Sequence, residues 1–406
     1  MRILEIVMNV PYPPNDGGRI GVYRPAEALV RRGHELCFVC LVPRGERVPE
    51  EFARTFLVRS MVADLRTRLP GMLFNLLSPV PYTFAKHQPP GFFELVQIAA
   101  DEFKPDIVLT DSLHVAPFGL AAARRAGVPV VLRAHNVDSV LMARFRDTRR
   151  NPLARSYAAI QYHKLVRYEK RFLPLFDRRI AVTSVDAATL SRIAGGVRVD
   201  AIPAGVDVEY FCPKSTPEDD RVIISVALMR WTPNIVSTRW FLEKVLPLVR
   251  AECPEARFLI VGAEPPESIR AYHDGEKTIV TGLVDDVRPL IAQAAVFVVP
   301  TQVGSGIRIK VLEALAMGKA VVSTSIGCEG IEGLVNGENI VIADQAEDFA
   351  RSVVALMRDP SRRREMGRRG RELICQHYQW DAIASRFEAL FEATITEFQA
   401  RRKSAG

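Results

Sequence analysis

A chain of 406 residues is long for one hydrophobic core, so two domains are expected. Hydrophobic residues make up 48% of the chain and charged residues 25%, an ordinary globular composition that argues against a disordered or fibrous protein. The net charge of +7 is modest and no aromatic-interleaved basic motif accompanies it, so nucleic acid is the least favoured partner.

The first half of the chain alternates short β-branched runs with helical patterns. The predicted strands are Ile3 to Met8, Leu36 to Val42, Ile107 to Thr110, Val130 to Leu132, Arg179 to Val182 and Val199 to Ile202. The predicted helices are Tyr23 to Arg32 (closed by Gly33), Val115 to Ala126, Leu153 to Leu173 and Asp186 to Ile193. Such alternation is typical of a parallel sheet covered by helices on both faces.

A polar, proline-bearing stretch from Cys212 to Asp220 predicts an inter-domain linker, after which the alternation restarts. The predicted strands are then Val222 to Ala227, Arg257 to Val261, Thr278 to Val280, Val296 to Val299 and Ala320 to Ser323. Helices are predicted at Val236 to Val249, at Ile307 to Met317, and from Ala346 to about Ala400. The sequence therefore predicts an α/β protein of two doubly wound, Rossmann-like domains, residues 1–211 and 212–383.

The N-terminal segment and the cysteines indicate where in the cell the protein is expected. Met1 to Val7 reads as a buried strand without the apolar region and cleavage site of a signal peptide, and no stretch reaches the ~18 apolar residues of a membrane span. Cys37 and Cys40 make a poor metal pair, because residues three apart in a strand point to opposite faces. We expect free thiols and a cytoplasmic protein, with the inner face of the membrane as a candidate position.

The segment from Pro300 to Thr324 carries the clearest chemical signal. A strand ends at Pro300, and the loop Gly304-Ser305-Gly306, followed by Ile307, leads into a helix. Backbone N–H groups and the positive end of a helix in this arrangement suit a phosphate. Arg308 and Lys310 add positive charge at the same end, which suits a diphosphate.

The predicted helix has almost no polar face, yet Lys310 and Glu313 lie three residues apart on one side of it. A helix-surface ion pair is the simpler interpretation. The apolar surroundings favour a second one, in which both charges meet a ligand and Glu313 accepts hydrogen bonds from ribose hydroxyls.

Several segments, in this order, resemble glycosyltransferase family 4, enzymes of the GT-B fold. They are Pro11 to Gly18, Arg32 to Glu35, Ile202 to Asp207, Trp231 to Asn234, Lys310 to Leu315 and Gly318 to Thr324. The resemblance implies two Rossmann-like domains facing across a cleft and a last helix, from about residue 384 to 406, that returns to the first domain. It also implies a hexosyltransferase-like enzyme that uses a nucleotide-sugar, retains configuration and needs no metal or other cofactor.

The resemblance assigns roles residue by residue. Gly17 and Gly18, expected in the loop after the first strand, would lie against the donor, although a tight turn explains them equally well. His135, in the segment Arg133 to Asp138 that follows the predicted strand Val130 to Leu132, resembles the family's histidine near the transferred sugar, although a lone histidine is more often structural. Domain closure would bring these residues toward Lys310 and Glu313.

This sequence departs from the family at two places. Of the family's glutamate pair, the second falls on Glu313 and the first on Ser305, so a carboxylate near the sugar is lost. The Arg and Lys that many members carry early in the second domain are reduced here to Arg230. We expect His135, Arg308 and Lys310 to be catalytic, in a front-face transfer in which the diphosphate leaves as the acceptor attacks. The expected donor-binding residues are Gly17, Gly18, Arg230, Gly304, Ser305, Gly306, Ile307 and Glu313.

Other functions stay open at this point. A nucleotide-sugar epimerase or hydrolase would have the same fold, and the loss at Ser305 allows a non-catalytic nucleotide-sugar-binding subunit. An NAD-dependent oxidoreductase is disfavoured because no G-x-G-x-x-G follows a strand. Asp111, Ser112 and His114 are too close along one loop to form a hydrolase triad.

The acceptor is suggested only by charge and apolarity. Basic runs around Arg59 to Arg68, Arg144 to Arg155 and Arg362 to Arg371 are either solvated helix faces or surfaces for anionic lipid or a phosphorylated acceptor. The apolar segment Leu69 to Phe84 is expected in the core or at an acceptor site, with a shallow membrane contact as the alternative. These features favour a glycan or lipid-linked acceptor, peripheral membrane association and a role in cell-surface polysaccharide biosynthesis.

Overall fold

The computed structural model describes residues 1–14, 16–147, 151–304 and 306–405. The chain divides into two compact units, one formed by Met1–Pro203 with Ile383–Gly406 and the other by Ala204–Ala382. The division therefore comes before the polar stretch that begins at Cys212. That stretch belongs to the second unit, and its last residues already form a strand.

The first unit contains a seven-stranded parallel sheet in the order β3-β2-β1-β4-β5-β6-β7. Its strands are β1 (Arg2–Val7), β2 (Glu35–Pro43), β3 (Leu57–Ala63), β4 (Ile107–Asp111), β5 (Val130–Ala134), β6 (Arg178–Ala181) and β7 (Asp200–Ala201). Its helices are α1 (Gly17–Arg31), α2 (Glu50–Thr55), α3 (Leu69–Phe74), α4 (Tyr82–Ala85), α5 (Phe92–Phe103), α6 (Ala116–Ala126), α7 (Asp138–Asp147), α8 (Pro152–Phe172) and α9 (Ser184–Ile193). Strands β4 and β5 are buried throughout, as expected for a sheet covered on both faces.

The second unit repeats this plan with a six-stranded parallel sheet in the order β10-β9-β8-β11-β12-β13. Its strands are β8 (Asp219–Val226), β9 (Arg257–Val261), β10 (Thr278–Gly282), β11 (Ala294–Val299), β12 (Ala320–Ser323) and β13 (Val341–Ile342). Its helices are α10 (Thr232–Trp240), α11 (Leu246–Glu252), α12 (Glu267–Arg270), α13 (Arg288–Gln293), α14 (Ile309–Ala316), α15 (Ser325–Cys328), α16 (Ala346–Arg358) and α17 (Pro360–His377). Helix α18 (Trp380–Ala405) begins in this unit and continues in the first one.

The two-sheet α/β architecture predicted from the sequence is confirmed, but two edge strands were missed. Strand β3 exposes most of its residues, including Arg59, so it lacks the continuous apolar run of a central strand. Strand β13 has 2 residues, too few for a periodic signal.

The apolar segment after β3 was expected in the core or at an acceptor site, and the core interpretation is wrong for most of it. Phe84 is fully buried, but Leu69, Leu73, Phe74 and Leu77 have exposed fractions of 68%, 57%, 79% and 91%. The pattern of leucines and phenylalanines alone could not reveal this exposure, because a core helix and an exposed apolar helix share the same composition. No helix of the described residues has the length and apolar content needed to cross a membrane.

Most arginines of the basic run in α17 are exposed, as on a solvated helix face, but Arg363 is not. Arg363 is buried, donates to the Met357 carbonyl over 2.8 Å and pairs with Glu218 over 3.3 Å. Arg368 and its neighbour pair with Glu365 on the same helix. Ion pairs within the unit therefore account for much of this charge.

Helix α17 also supports the helix that carries Lys310. Gly367 and Gly370 let α17 approach the end of α14, and Arg371 donates to the Ala316 carbonyl there. A Cβ atom on Gly367 would overlap the carbonyl oxygen of Gly318, where α14 turns into β12. Because this neighbour is backbone, the overlap can be relieved only by moving the helices apart.

We therefore expect Gly367→Ala to destabilise the second unit, although alanine is usually the better helix residue. The free energy of unfolding should fall by about 1–3 kcal/mol, as in other overpacked cores. Arg364→Ala, at an exposed position of the same helix, is the control and should change stability little. Urea unfolding of the two variants measures the difference. Equal stability of the two would show that α17 does not need this close approach.

Candidate functional site

The second sheet has a topological switch point between β8 and β11. From β8 the chain proceeds to β9 on one side, whereas β11 continues to β12 on the other. In open parallel sheets, ligands bind outside the carboxyl ends of the strands at such a point. Two segments lie there, the turn after β8 that leads to Trp231 and the loop after β11 that leads to Arg308. The backbone N–H of Gln302 donates a hydrogen bond of 3.2 Å to Ser237 Oγ, which joins the loop after β11 to helix α10.

The loop after β11 is shaped around Arg308. Its guanidinium donates to the Gly306 carbonyl, and a Cβ atom on Gly304 would lie 2.6 Å from one of its terminal nitrogens. Gly306 has a φ of +74°, which favours glycine. These two glycines therefore let the arginine fold back over its own loop. Ser305, the third predicted residue of this loop, lies outside the described residues.

Helix α14 starts slightly later than predicted, so Ile307 and Arg308 precede it and Lys310 lies in its first turn. Removal from water lowers the pKa of the Lys310 ammonium to about 8, and the charge of Arg308 acts in the same direction against the attraction of Glu313. Removal from water also raises the pKa of the Glu313 carboxyl to about 7, against the opposite charge of Lys310. For each group, burial outweighs the attraction of the partner's opposite charge. An anion beside Lys310 and a hydroxyl donor beside Glu313 would stabilise the charged forms.

Arg230 is the exposed cation of the turn after β8. Its guanidinium lies 3.6 Å from Glu264, and both side chains are more than half exposed, so the pairing is weak. Trp231 follows it with 60% of its surface exposed. Sequence reasoning treated this tryptophan only as part of a motif. Because it is exposed beside the switch point, Trp231 is a further candidate for binding the ligand. The sequence pattern could not reveal this exposure.

In the first unit, Gly17 and Gly18 were expected in a loop, and this placement is wrong. They are the first two residues of α1, which Asp16 caps by accepting a hydrogen bond of 3.0 Å from the Arg19 amide. The aspartate favours an earlier helix start than the apolar pattern indicated. The glycines therefore offer N–H groups at a helix end, and the carboxylate of Asp16 already occupies part of that end.

His135 lies directly after β5, at the carboxyl edge of the first sheet, as predicted. Its Nε2 lies 2.8 Å from Asp111 Oδ1, at the end of the neighbouring strand β4. Helix α1 passes close by, since a Cβ atom on Gly21 would contact the imidazole at 3.4 Å. When Nε2 donates to Asp111, Nδ1 of the neutral ring is an acceptor.

Asp111 is part of a buried charge network that sequence reasoning missed. The guanidinium of Arg133 donates to Asp111 and to Glu5, each over 2.6 Å. Burial opposes ionisation of Asp111, but the charges of Arg133 and His135 prevail and hold its pKa at about 2. Burial raises the pKa of Glu5, although Arg133 opposes this. The network therefore keeps Asp111 ionised, which fixes the orientation of the His135 ring.

The structure is consistent with rejecting the hydrolase triad. Ser112 Oγ lies 2.7 Å from His114 Nδ1, but Asp111 contacts His135 and Arg133 instead of His114. Burial also lowers the pKa of the His114 imidazole well below its usual value, which makes it a weak base.

For metals, no group of three or more His, Cys, Asp or Glu side chains among the described residues is arranged to hold an ion. Metal independence stays a prediction.

Two family models match this chain, one in each half. The model described as Glycosyltransferase Family 4 matches residues 15–210, and the model described as Glycosyl transferases group 1 matches residues 220–359. Together they span most of the 406 residues.

Curated relatives share about a quarter of the residues. An uncharacterized protein of the cps region of Klebsiella pneumoniae is 24% identical over 95% of this chain and 98% of its own. A D-inositol 3-phosphate glycosyltransferase of Thermomonospora curvata is 26% identical over 91% of this chain and 89% of its own. A GDP-mannose-dependent phosphatidylinositol monomannoside mannosyltransferase of Mycobacterium tuberculosis is 28% identical, over 52% of this chain and 61% of its own.

Solved structures share the fold at lower identity. Sucrose-phosphate synthase from Thermosynechococcus elongatus aligns with a TM-score of 0.75 and 17% identity, covering 98% of this chain and 100% of its own. The Anabaena protein HepE, solved in complex with UDP, aligns with a TM-score of 0.68 and 14% identity over 97% of this chain and 100% of its own. Because the matched models span both units and the two parallel sheets follow the GT-B plan, this chain belongs to glycosyltransferase family 4 and is a glycosyltransferase of the GT-B fold.

Proposed function

We propose that the second unit binds a nucleoside diphosphate-sugar at its switch point and that the enzyme transfers the sugar to an acceptor hydroxyl with retention of configuration. The observation that carries this proposal is the partly buried pair Lys310 and Glu313, set at the amino end of α14 beside Arg308. In this proposal the diphosphate lies against the two cations and the N–H groups of the glycine loop. The ribose hydroxyls donate to Glu313.

The proposed transfer proceeds on one face of the sugar and without a metal. The bond between the anomeric carbon and the β-phosphate oxygen breaks, and a bond from the acceptor oxygen to the same carbon forms. The proton of the acceptor hydroxyl passes to the departing phosphate oxygen, so the products are a glycoside and a nucleoside diphosphate. The cations stabilise the charge that develops on the diphosphate, which is electrostatic catalysis. We also assign a catalytic role in this transfer to His135, which Asp111 holds in orientation.

The acceptor is proposed to be a lipid-linked or cell-surface glycan, in polysaccharide biosynthesis. This is supported by the cps region in which the Klebsiella relative is encoded and by the phosphatidylinositol acceptor in the name of the mycobacterial relative. The complex of HepE with UDP supports a uridine donor, whereas the name of the mycobacterial enzyme supports a guanosine donor. Both nucleotides therefore belong in the first test.

Thermal unfolding with UDP, GDP and their sugar conjugates tests the donor site. A nucleotide at ~100 times its dissociation constant should stabilise the protein by ~2.7 kcal/mol, and Glu313→Ala should abolish most of that stabilisation. Glu347→Ala, at an exposed carboxylate of α16, is the control and should respond like the wild type. Absence of stabilisation by every nucleotide would refute a donor site in this unit.

The pH dependence of nucleotide binding tests the two groups separately. Above pH about 8 the Lys310 ammonium loses its proton, and below pH about 7 the Glu313 carboxylate gains one. The affinity of the free enzyme for the nucleotide should therefore be highest between these values and fall on both sides. Lys310→Arg should remove the alkaline fall, since arginine stays protonated, and Glu313→Gln should remove the acid fall. A flat profile in the wild type, measured by calorimetric titration, would contradict these roles.

Steady-state kinetics test the catalytic assignments. Lys310→Ala and His135→Ala should each lower kcat by about 100-fold or more, the usual loss for one charge-stabilising or proton-handling group. Lys244→Ala and His163→Ala, at exposed positions, are the matched controls and should keep the wild-type rate. Free sugar formed without an acceptor would instead indicate a hydrolase, and an interconverted nucleotide-sugar would indicate an epimerase. Nucleotide binding with no turnover on any acceptor would indicate a binding subunit.

A further inference from the structure

Four exposed apolar residues are concentrated in α3 and in the turn after it; we call this group the α3 ridge and define it as Leu69, Leu73, Phe74 and Leu77. The spacing of the leucines at every fourth position places them along one side of the helical segment 69–77. Helix α3 buries none of its residues, so it does not serve the core of the unit. A helix that is apolar and exposed must be stabilised by something other than its own packing.

The ridge is held by polar contacts beneath it. Asn75 is buried at its centre, and its carbonyl accepts a hydrogen bond of 2.6 Å from Lys164 on α8. The Asn75 side chain accepts from Gln161 over 3.2 Å and donates to the Val80 carbonyl over 3.0 Å. The Tyr82 hydroxyl accepts from the Arg68 amide over 2.9 Å, which ties the start of α3 to α4. The apolar side chains are thus directed outward from an anchored support.

The charge around the ridge has one sign. Residues 65–93 contain no aspartate or glutamate, but they include Arg66, Arg68 and Lys86. One carboxylate, Asp64, pairs with both arginines, so a positive charge remains, and the two arginine side chains are 68% and 60% exposed. In α8, which supports the ridge, residues 152–168 likewise carry only basic charges. Two copies of the chain packed ridge against ridge would bring like charges together.

The ridge is linked to the sheet edge that carries the candidate residues of the first unit. Helix α4 follows the ridge, and the centroids of the Phe84 and His114 rings lie 4.0 Å apart. His114 lies three residues beyond Asp111, the last residue of β4 and the partner of His135. Phe84, which follows the ridge in α4, thus lies at the carboxyl edge of the first sheet.

We propose that the α3 ridge is a membrane-docking surface, which inserts its apolar side chains among the acyl chains of an anionic lipid bilayer while the flanking basic residues contact the headgroups. An exposed apolar ridge on an anchored support, in surroundings with a positive net charge, matches the apolar interior and the anionic headgroups of such a bilayer. The assignment deepens the proposed function by naming the surface at which a lipid-linked acceptor is met, and only that link rests on the proposed function.

Vesicle co-sedimentation of the full chain tests this surface. At physiological salt we expect binding to vesicles of phosphatidylcholine mixed with phosphatidylglycerol, weak binding to phosphatidylcholine alone, and a loss at high salt. The triple variant Leu73→Ser, Phe74→Ser, Leu77→Ser should lower the partition coefficient by about tenfold or more. The control variant Leu175→Ser, Leu248→Ser, Val335→Ser changes three other exposed apolar residues and should bind as the wild type does.

Two further measurements separate the possible outcomes. Because the substituted residues are exposed, the ridge variant should keep the thermal stability and the nucleotide-induced stabilisation of the wild type, so loss of vesicle binding is independent of the donor site. The proposal is overturned if the wild type does not bind anionic vesicles, or if both triple variants lose binding equally. It is also overturned if light scattering shows a dimer that the ridge variant dissociates while vesicle binding is absent, since a second copy would then cover the ridge.

Discussion

A charged group held partly out of water must be compensated, and in the second unit this constraint falls on the first turn of α14. Its lysine and glutamate face one side of a helix whose other positions are buried, and the nearby arginine adds to the positive charge instead of balancing it. The closeness of α17, made possible by Gly367, fixes the far end of the same helix. The packing thus holds Lys310 and Glu313 where a ligand with both a diphosphate and hydroxyl groups would stabilise their charged forms.

The first unit applies the same constraint with a different result. There the buried guanidinium of Arg133 is compensated within the protein, by Glu5 and Asp111 on two neighbouring strands. What remains is one ionised carboxylate that orients His135 at the sheet edge. One unit therefore presents charges that need a ligand, whereas the other presents an oriented imidazole whose supporting charges are already balanced.

The α3 ridge belongs to a segment that the core of the first unit hardly uses. The segment between β3 and α5 contributes Phe84 to the core, but it otherwise extends over polar anchors and leaves four large apolar side chains in water. Exposed apolar side chains of this size lower solubility. Their presence here therefore indicates a surface that a partner covers. Asp64 is the one acidic residue of this segment, against three basic ones, and the resulting positive charge favours an anionic partner.

The sequence alone determined the two doubly wound domains, because a buried parallel strand and its crossover helix have distinct periods of hydrophobicity. It also singled out Lys310 and Glu313 as candidate ligand-binding residues, because charges inside an apolar helix are informative without coordinates. Tertiary structure alone decided two other matters. It connected His135 through Asp111 to Arg133 across separate strands, and it turned α3 toward solvent. These depend on which distant segments meet, and local patterns carry no information about partners that lie far apart along the chain.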